Sequence, residues 1–197
     1  FYLKKDPSKK VKVGPSESMS KSKKNTIDPE MIIKNFGADA VRLFILSDSP
    51  PEKDVQWSER GMASSYKFLQ KLWSLHNKIL GKKSDKDKKN DEIEIFTNQI
   101  IQKITNNLEN FHYNVIIANL HEIYRFYKLE IEKPIDKGIL LSNYQKIIKM
   151  MMPIIPHFAN ECFDQLNATN DYKWPDVESR LLEKKKFDIV IQILALN

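Results

Sequence analysis

The sequence predicts a mainly α-helical protein, an antiparallel bundle that follows a short segment of strand and loop. Apolar residues recur every three to four positions in several long stretches between residues 59 and 166. Pro, Gly and charged residues separate these stretches by short connections. Amphipathic helices with short connections pack as antiparallel bundles. The first 27 residues instead predict extended pieces and a loop rich in Lys and Ser.

The first 13 residues predict two short extended pieces, Tyr2-Leu3 and Val11-Lys12-Val13, on either side of a turn at Asp6-Pro7-Ser8. Gly14-Pro15 then interrupts regular structure and begins the Lys-rich loop. The sequence therefore predicts a small β and loop segment before the first helix.

Two short helices follow this loop. Asp28-Pro29 predicts a helix start, because a carboxylate can cap the helix and Pro is tolerated at its first position. Gly37 is a typical helix stop. A second helix is expected over about 38–47, and Pro50-Pro51 ends it.

Five further helices complete the predicted bundle. Ser58 can cap a long helix over about 59–80, which Gly81 ends. A charged connector follows from Lys82 to Asp91, and the later periodic stretches predict helices over about 92–109, 113–132, 135–151 and 156–166. A lone strand is predicted at 189–193.

Composition sets broad limits on function. The chain has 197 residues, 41% of them hydrophobic, and a formal net charge of +6. The charge favours an anionic partner, although it can equally keep the surface soluble. Cys162 is the only cysteine, which fits a reduced, cytoplasmic protein with a core thiol. No apolar run is long enough to cross a bilayer, and the four His predict no metal site.

The segment Ser18–Asn25 carries the clearest chemical signal. Its Lys side chains are point cations that can reach phosphate oxygens, and its small Ser residues leave the backbone N–H groups accessible. Such a segment suits a mobile clamp on a polyphosphate. A disordered Ser- and Lys-rich stretch is the alternative when the segment is taken alone.

Residues 18–22, SMSKS, resemble the KMSKS motif of class I aminoacyl-tRNA synthetases, with Ser18 where the motif has Lys. Further segments follow in the order and spacing of leucyl-tRNA synthetases, and the resemblance covers about residues 10–193. These segments are Asp28-Pro29-Glu30, the GADAVRL run at 37–43, the junction at 49–59, the PIIPH run at 153–157 and Trp174-Pro175.

The resemblance implies a leucine–tRNA ligase, which activates leucine with ATP and transfers it to tRNA(Leu). Lys21 is then the main catalytic cation at the phosphates. The ATP-binding set that the resemblance implies is Met19, Ser20, Lys21, Ser22, Lys23 and Lys24. Mg²⁺ is expected to accompany ATP, and Ser18 removes one cation from the motif.

The other matched segments allow two interpretations each. Arg42 either contacts tRNA or pairs with a carboxylate in a structural role. The junction at 49–59 is either a hinge or a linker anchored by a buried Trp57, and His157 is expected to be structural. By resemblance the bundle binds tRNA phosphates, although each cation can also be a plain solvated charge. The candidates are Arg42, Lys67, Lys71, Lys78, Arg125 and Lys128.

The predicted organisation has three segments. Residues 1–57 are the end of a catalytic domain, residues 58–180 the tRNA-binding bundle, and residues 181–197 the start of a further domain that ends early. The parts of the synthetase that bind leucine and most of ATP are expected upstream, so that the chain alone is expected to be inactive and monomeric. The alternatives are a non-catalytic RNA-binding module, or an isoleucine, valine or methionine enzyme.

Overall fold

The computed structural model describes residues 2–12, 14–48, 50–85, 91–167 and 173–182. Within these ranges two strands, β1 (Tyr2–Leu3) and β2 (Asp6–Lys10), precede seven helices and one 3₁₀ turn (Ser179–Leu181). The helices are α1 (Pro29–Phe36), α2 (Ala38–Asp48), α3 (Glu59–Leu80), α4 (Asp91–Glu109), α5 (Tyr113–Glu130), α6 (Lys137–Met151) and α7 (Pro156–Gln165). The predicted mainly α-helical class is confirmed, and the strand predicted at 189–193 lies outside the described residues.

The N-terminal strands form an antiparallel hairpin, in which the predicted turn is misplaced. Leu3 pairs with Asp6, so the chain reverses at Lys4-Lys5, and Asp6-Pro7-Ser8 lies within β2. The Asp6 carboxylate accepts a bond from the Ser8 amide at 3.2 Å, which is the turn-like contact that the sequence suggested. Pro7 is tolerated in the strand because a two-stranded sheet consists only of edges.

Side-chain caps explain where the helices begin. The Asp28 carboxylate accepts the Glu30 amide at 3.0 Å, and the Ser58 hydroxyl accepts the Gly61 amide at 3.1 Å. Gly37 ends α1 with φ +81°, a conformation that favours glycine. These three predicted boundaries are confirmed.

The connection between α5 and α6 is longer than predicted. Helix α5 ends at Glu130, and α6 begins at Lys137 rather than near residue 135. Pro134 disfavours helical backbone in the residue before it. The Asp136 carboxylate then caps α6 by accepting the Ile139 amide at 3.0 Å, which sets the later start.

One large apolar core joins α2 to the other bundle helices. Leu43 of α2 belongs to the same buried cluster as residues from α3 to α7, and Tyr127 of α5 is fully buried in that cluster. A second, smaller cluster of Ala40, Phe44 and Met62 lies between α2 and α3. Helix α2 therefore packs as part of the bundle, and the boundary predicted between residues 57 and 58 stays a prediction.

Glycine allows the close approach of α3 to α2. A Cβ atom at Gly61 would lie 2.7 Å from Cε2 of Phe44, well inside van der Waals contact.

Within the described residues, no helix is both long and apolar enough to cross a membrane.

Candidate functional site

The Lys-rich loop is held in shape by its own side chains. The Asn25 side-chain oxygen accepts the Ser20 amide at 2.8 Å, and its NH₂ group donates to the Ser18 carbonyl at 3.4 Å. Between these points a turn is closed by the Lys24 amide donating to the Lys21 carbonyl at 3.1 Å. Asn25 thus ties the two ends of the loop together.

The three lysines of the turn have different surroundings. Lys23 forms an ion pair with Glu17 at 3.0 Å, and Lys24 has the positive φ of +52°. Lys21 is exposed and makes no ion pair among the residues that the structure describes. Lys24 is likewise exposed and without an ion pair among the described residues, so both cations are open to an anionic ligand, and it is the resemblance that assigns the catalytic role to Lys21.

The serines of the loop bond to each other and to its backbone. The Ser20 hydroxyl lies 3.1 Å from that of Ser22 and accepts the Lys23 amide at 3.3 Å. Met19 is 46% exposed. The six residues predicted to bind ATP are consecutive, and the last four of them form the turn, whose backbone is bonded to the Ser20 hydroxyl.

A cleft of about 560 Å³ separates this loop from the junction that precedes α3. The segment Ser16–Met19 lines one side, and Asp54–Trp57 lines the other. Trp57 packs edge-on against Phe44, with ring centroids 5.3 Å apart. Trp57 therefore anchors the junction to α2, although it is only partly buried.

Arg42 binds the corner between α6 and α7. Its Nε donates to the Ile154 carbonyl at 2.8 Å, and its Nη2 donates to the Pro153 carbonyl at 2.6 Å. The partners are backbone carbonyls rather than the carboxylate that the structural interpretation suggested. Carbonyls that follow the end of a helix are good acceptors for a cation. These contacts give Arg42 a structural role, and its proposed contact with tRNA stays a prediction.

Asp39, one turn earlier on α2, caps the start of α7. Its carboxylate accepts the Phe158 amide at 2.7 Å and the His157 amide at 3.4 Å, and lies 3.1 Å from Nδ1 of His157. Asp39 is buried, whereas His157 is largely exposed. We call Asp39 and Arg42 the α2 clamp, because together they hold both helix ends at this corner. His157 has the structural contact that was expected.

The predicted tRNA-binding cations on α3 and α5 are all exposed. They fall into two groups, one near His121 and one at the end of α3. The charges of Lys71 of α3 and Arg125 of α5 both lower the pKa of His121 of α5, so both cations lie near that ring. Lys67 lies one turn before Lys71, and Lys128 one turn after Arg125. Lys78 lies apart, in a cleft with Lys82, Lys83 and Glu132 at the end of α3.

His121 and Phe68 are residues of this face that the sequence analysis did not select. Their rings stack with centroids 3.7 Å apart. His121, Arg125 and Lys128 lie at i, i+4 and i+7, and so share one side of α5. That spacing could have indicated from the sequence that His121 lies beside the two cations of α5. The contact with Phe68 could not be predicted, because it depends on how α3 packs against α5.

Buried titratable groups inside the bundle are structural. His76 is fully buried, and burial lowers its pKa below the usual 6.5. Its ring nitrogens lie 3.3 Å from the Tyr144 hydroxyl and 3.2 Å from the Gln165 side-chain oxygen. Burial raises the pKa of Cys162 to about 12, so the thiol is unreactive at neutral pH, as expected for a core cysteine. No cluster of His, Cys, Asp and Glu suitable for a metal ion occurs within the described ranges.

Comparison with known families identifies the class. The family model described as the anticodon-binding domain of tRNA ligase matches residues 90–197, and that of class I tRNA synthetases (I, L, M and V) matches residues 12–58. The first match covers more than half of the chain. The chain therefore belongs to the anticodon-binding domain family of tRNA ligases.

Individual relatives narrow the similarity to the leucine enzymes. Leucine–tRNA ligase of Fusobacterium nucleatum is 34% identical over 194 residues, covering 90% of this chain and 23% of that protein. The Nitrobacter hamburgensis leucine–tRNA ligase is 34% identical over 203 residues, with 93% and 23% covered. The resemblance to leucyl-tRNA synthetases is confirmed, and the chain spans about a quarter of the length of these relatives.

A solved structure shows the same fold. The ternary complex of Agrobacterium radiobacter K84 agnB2 LeuRS with tRNA and LeuAMS superposes with a TM-score of 0.72, at 23% identity over 84% of this chain and 23% of that one. The helical architecture is therefore that of a corresponding part of a leucyl-tRNA synthetase.

Proposed function

We propose that this chain is the part of a leucine–tRNA ligase that places a lysine loop against the phosphates of ATP and holds tRNA(Leu) along its helical bundle. The observation that carries the proposal is the turn at 21–24, where Lys21 is exposed and without an ion pair among the described residues. This turn lies within the segment that matches class I synthetases.

The chemistry of amino-acid activation explains the need for such a loop. The leucine carboxylate attacks the α-phosphorus of ATP, the bond to the β,γ-phosphates breaks, and pyrophosphate leaves. Negative charge on the phosphate oxygens is redistributed during the step, so a positioned cation that binds them best in the transition state accelerates it. Lys21 has this role in the proposal, and the small side chains around it hold the backbone of the turn in place through hydrogen bonds.

The remaining parts of the proposal concern partners and location. Parts of the ligase outside this chain supply the leucine pocket and most of the ATP site, with Mg²⁺ accompanying ATP. The tRNA is held by phosphate contacts of the bundle cations, which position an RNA rather than identify its sequence. The ligase acts as a monomer in the cytoplasm.

The loop assignment can be tested in a complete enzyme. The matching segment of the Fusobacterium nucleatum ligase is replaced by this chain, and ATP–pyrophosphate exchange is measured. Lys21→Ala is expected to slow exchange by about 10²- to 10³-fold, as does the loss of one charge-stabilising donor. Lys34→Ala, an exposed lysine of α1, serves as the matched control. Exchange near the parental rate in Lys21→Ala would refute the assignment.

The tRNA contacts are tested on the chain itself. Binding of leucine tRNA and of an unrelated tRNA is measured across a salt series. The logarithm of affinity is expected to fall linearly with the logarithm of salt, by roughly 0.9 for each phosphate contact on duplex regions. Binding of tRNA without any exchange activity in the chimera would favour the alternative of a non-catalytic RNA-binding module.

A further inference from the structure

The stack of Phe68 and His121 differs from the other ring stacks of the bundle. Its rings lie 3.7 Å apart at 26°. Phe68 is only 6% exposed and Tyr124 meets it edge-on at 6.2 Å, so its ring is fixed by the core. The His121 side chain is exposed. One face of the imidazole is therefore covered by Phe68, while the ring stays accessible from solvent.

The two other stacks among the described residues lack this exposure. Phe96 and Phe126 are both partly buried and pack against the main core. Trp73 stacks on His76, which is fully buried. Within the described part of the chain, the exposed member of a stacked pair is thus His121.

The surroundings of His121 are positive. Lys71 lies one turn beyond Phe68 on α3, and Arg125 lies one turn beyond His121 on α5. Partial burial, and then the charges of these two residues, lower the pKa of His121, so the ring is neutral at neutral pH. Both cations are exposed and take part in no ion pair among the described residues.

The nearest acid on the same helix is already bound. Glu122 receives a bond from Lys103 at 2.8 Å and another from the Asn119 amide at 3.3 Å. Its charge is therefore largely compensated by Lys103 of α4. An anion beside the imidazole would lie near two cations, Lys71 and Arg125. The same positive charges that disfavour protonation of His121 would attract a phosphate.

We propose that the stack of Phe68 and His121 is a platform for one unpaired nucleobase of the bound RNA, with Lys71 and Arg125 binding the phosphates that flank it. Nucleobases stack on aromatic side chains, His included, whatever the base. A base inside a duplex has both faces covered by its neighbours, so the platform accepts only a nucleotide from a loop, a bulge or an end.

This inference rests on the proposed function, and deepens it by naming the kind of nucleotide that the bundle binds. Phosphate contacts alone would suit any stretch of the RNA backbone. The stacked platform instead restricts this face of α3 and α5 to places where the RNA is unpaired. The occupant is thus an extruded base rather than a groove or a helical stem.

The test separates stacking from charge. Affinity of the full chain for a leucine tRNA transcript is measured across a salt series. His121→Ala is expected to weaken binding by about tenfold at every salt concentration, because stacking of one base has that order of effect. His121→Phe should restore near-parental affinity, since a phenyl ring offers the same face.

The cations should respond differently. Lys71→Gln and Arg125→Gln are each expected to reduce the slope of log affinity against log salt by roughly 0.7 to 0.9, which corresponds to one lost phosphate contact. His112→Ala is the matched control, because His112 is exposed at the start of α5 and makes no capping bond there. The control should leave both affinity and slope unchanged.

The nature of the RNA provides the second measurement. A single-stranded oligoribonucleotide and the duplex that it forms with its complement are compared for the parent chain and for His121→Ala. Only single-strand binding should weaken in the variant. Circular dichroism and thermal unfolding check that each variant is folded, and His121→Phe keeps the test valid should His121→Ala unfold.

The failure of this inference and that of the proposed function are distinguishable. Binding of leucine tRNA that is equal in the parent and in His121→Ala would overturn the platform while leaving tRNA binding intact. An affinity of His121→Phe as low as that of His121→Ala would also overturn it, because the ring face would then be irrelevant. A parent chain that binds no tRNA would overturn the tRNA-binding part of the proposed function, and the platform with it.

Discussion

The Lys-rich loop and the α2 clamp are stabilised in opposite ways. Among the described residues, the hydrogen bonds of the loop join positions at most seven apart, such as those of Asn25 with Ser18 and Ser20. The clamp joins residues more than 100 positions apart, from Asp39 and Arg42 to the corner between α6 and α7. A segment whose hydrogen bonds are local can move without disturbing the core, whereas the clamp must form with the fold.

This difference suits the two proposed tasks. A loop that closes on ATP and then releases pyrophosphate must change position during each cycle. A surface that holds a large RNA must keep its cations at fixed spacings. A loop that closes and reopens needs low local stability, whereas a bundle that holds RNA needs high stability.

The strongest test of the comparison is Asp39→Ala. The substitution removes a buried carboxylate that accepts two backbone amides at the start of α7. Hydrogen bonds to charged groups and helix caps together predict a loss of about 3 kcal/mol in the free energy of unfolding. Urea unfolding of the chain, followed by circular dichroism, measures this loss.

The matched control is Asp28→Ala, which removes the exposed cap of α1. It is expected to cost about 1 kcal/mol, as is typical of a single helix cap. Equal losses in the two variants would show that the clamp has no greater weight than an ordinary surface cap.

A second test addresses packing rather than hydrogen bonding. Gly61→Ala would place a Cβ atom 2.7 Å from Cε2 of Phe44, so that α2 and α3 must shift apart or the ring must turn. Overpacking of this kind predicts a loss of about 1–3 kcal/mol. The thermal unfolding midpoint and the urea midpoint should both fall.

Gly14→Ala provides the control in the other region. A Cβ atom at Gly14 would meet no atom within 4 Å, so its substitution should change stability by less than about 0.5 kcal/mol. A destabilisation at Gly14 as large as that at Gly61 would contradict the open space that the structure shows around Gly14.

Local signals in the sequence predicted most of the helices and failed for long-range contacts. Asp28, Gly37 and Ser58 set helix boundaries through neighbours within four residues, and all three boundaries were predicted correctly. The prediction of a turn at Asp6-Pro7-Ser8 was wrong, because strand pairing in the hairpin overrode the local preference of Pro for turns. The partners of Asp39 and Arg42 lie more than 100 residues away, and no local pattern indicates them.

In the candidate site, too, local features were predictable from the sequence and contacts between helices were not. The six residues that the resemblance assigns to ATP are consecutive, so their common loop was predictable from the sequence, and their binding of ATP stays a prediction. The exposed face around His121 could not be found in the same way. Phe68 and His121 meet only because α3 and α5 pack side by side, and the sequence alone gives the spacing within each helix but not the rotation of one helix against the other.

The third test uses pH. Burial lowers the pKa of His76 in the folded chain, whereas the unfolded chain keeps the usual value of 6.5. Below pH 6.5 the unfolded state thus binds more protons than the folded state, so the stability present above that pH is lost as pH falls. Urea unfolding between pH 8 and pH 5 should show this decrease, and His76→Gln should reduce it. The same pH dependence in His76→Gln would assign the effect to other groups.

The smallest effect is expected for Asn25→Ala, which removes the brace of the loop. Global stability should change by less than about 0.5 kcal/mol, because the lost bonds are exposed and water replaces them. Hydrogen exchange at the Ser20 amide should become faster, since that amide loses its acceptor, while exchange in α3 stays as it was. An unfolding midpoint that falls as far as in Asp39→Ala would show that the loop and the bundle unfold as one unit. The mobility proposed for the loop would then require partial unfolding of the bundle, and the contrast between the two regions would be lost.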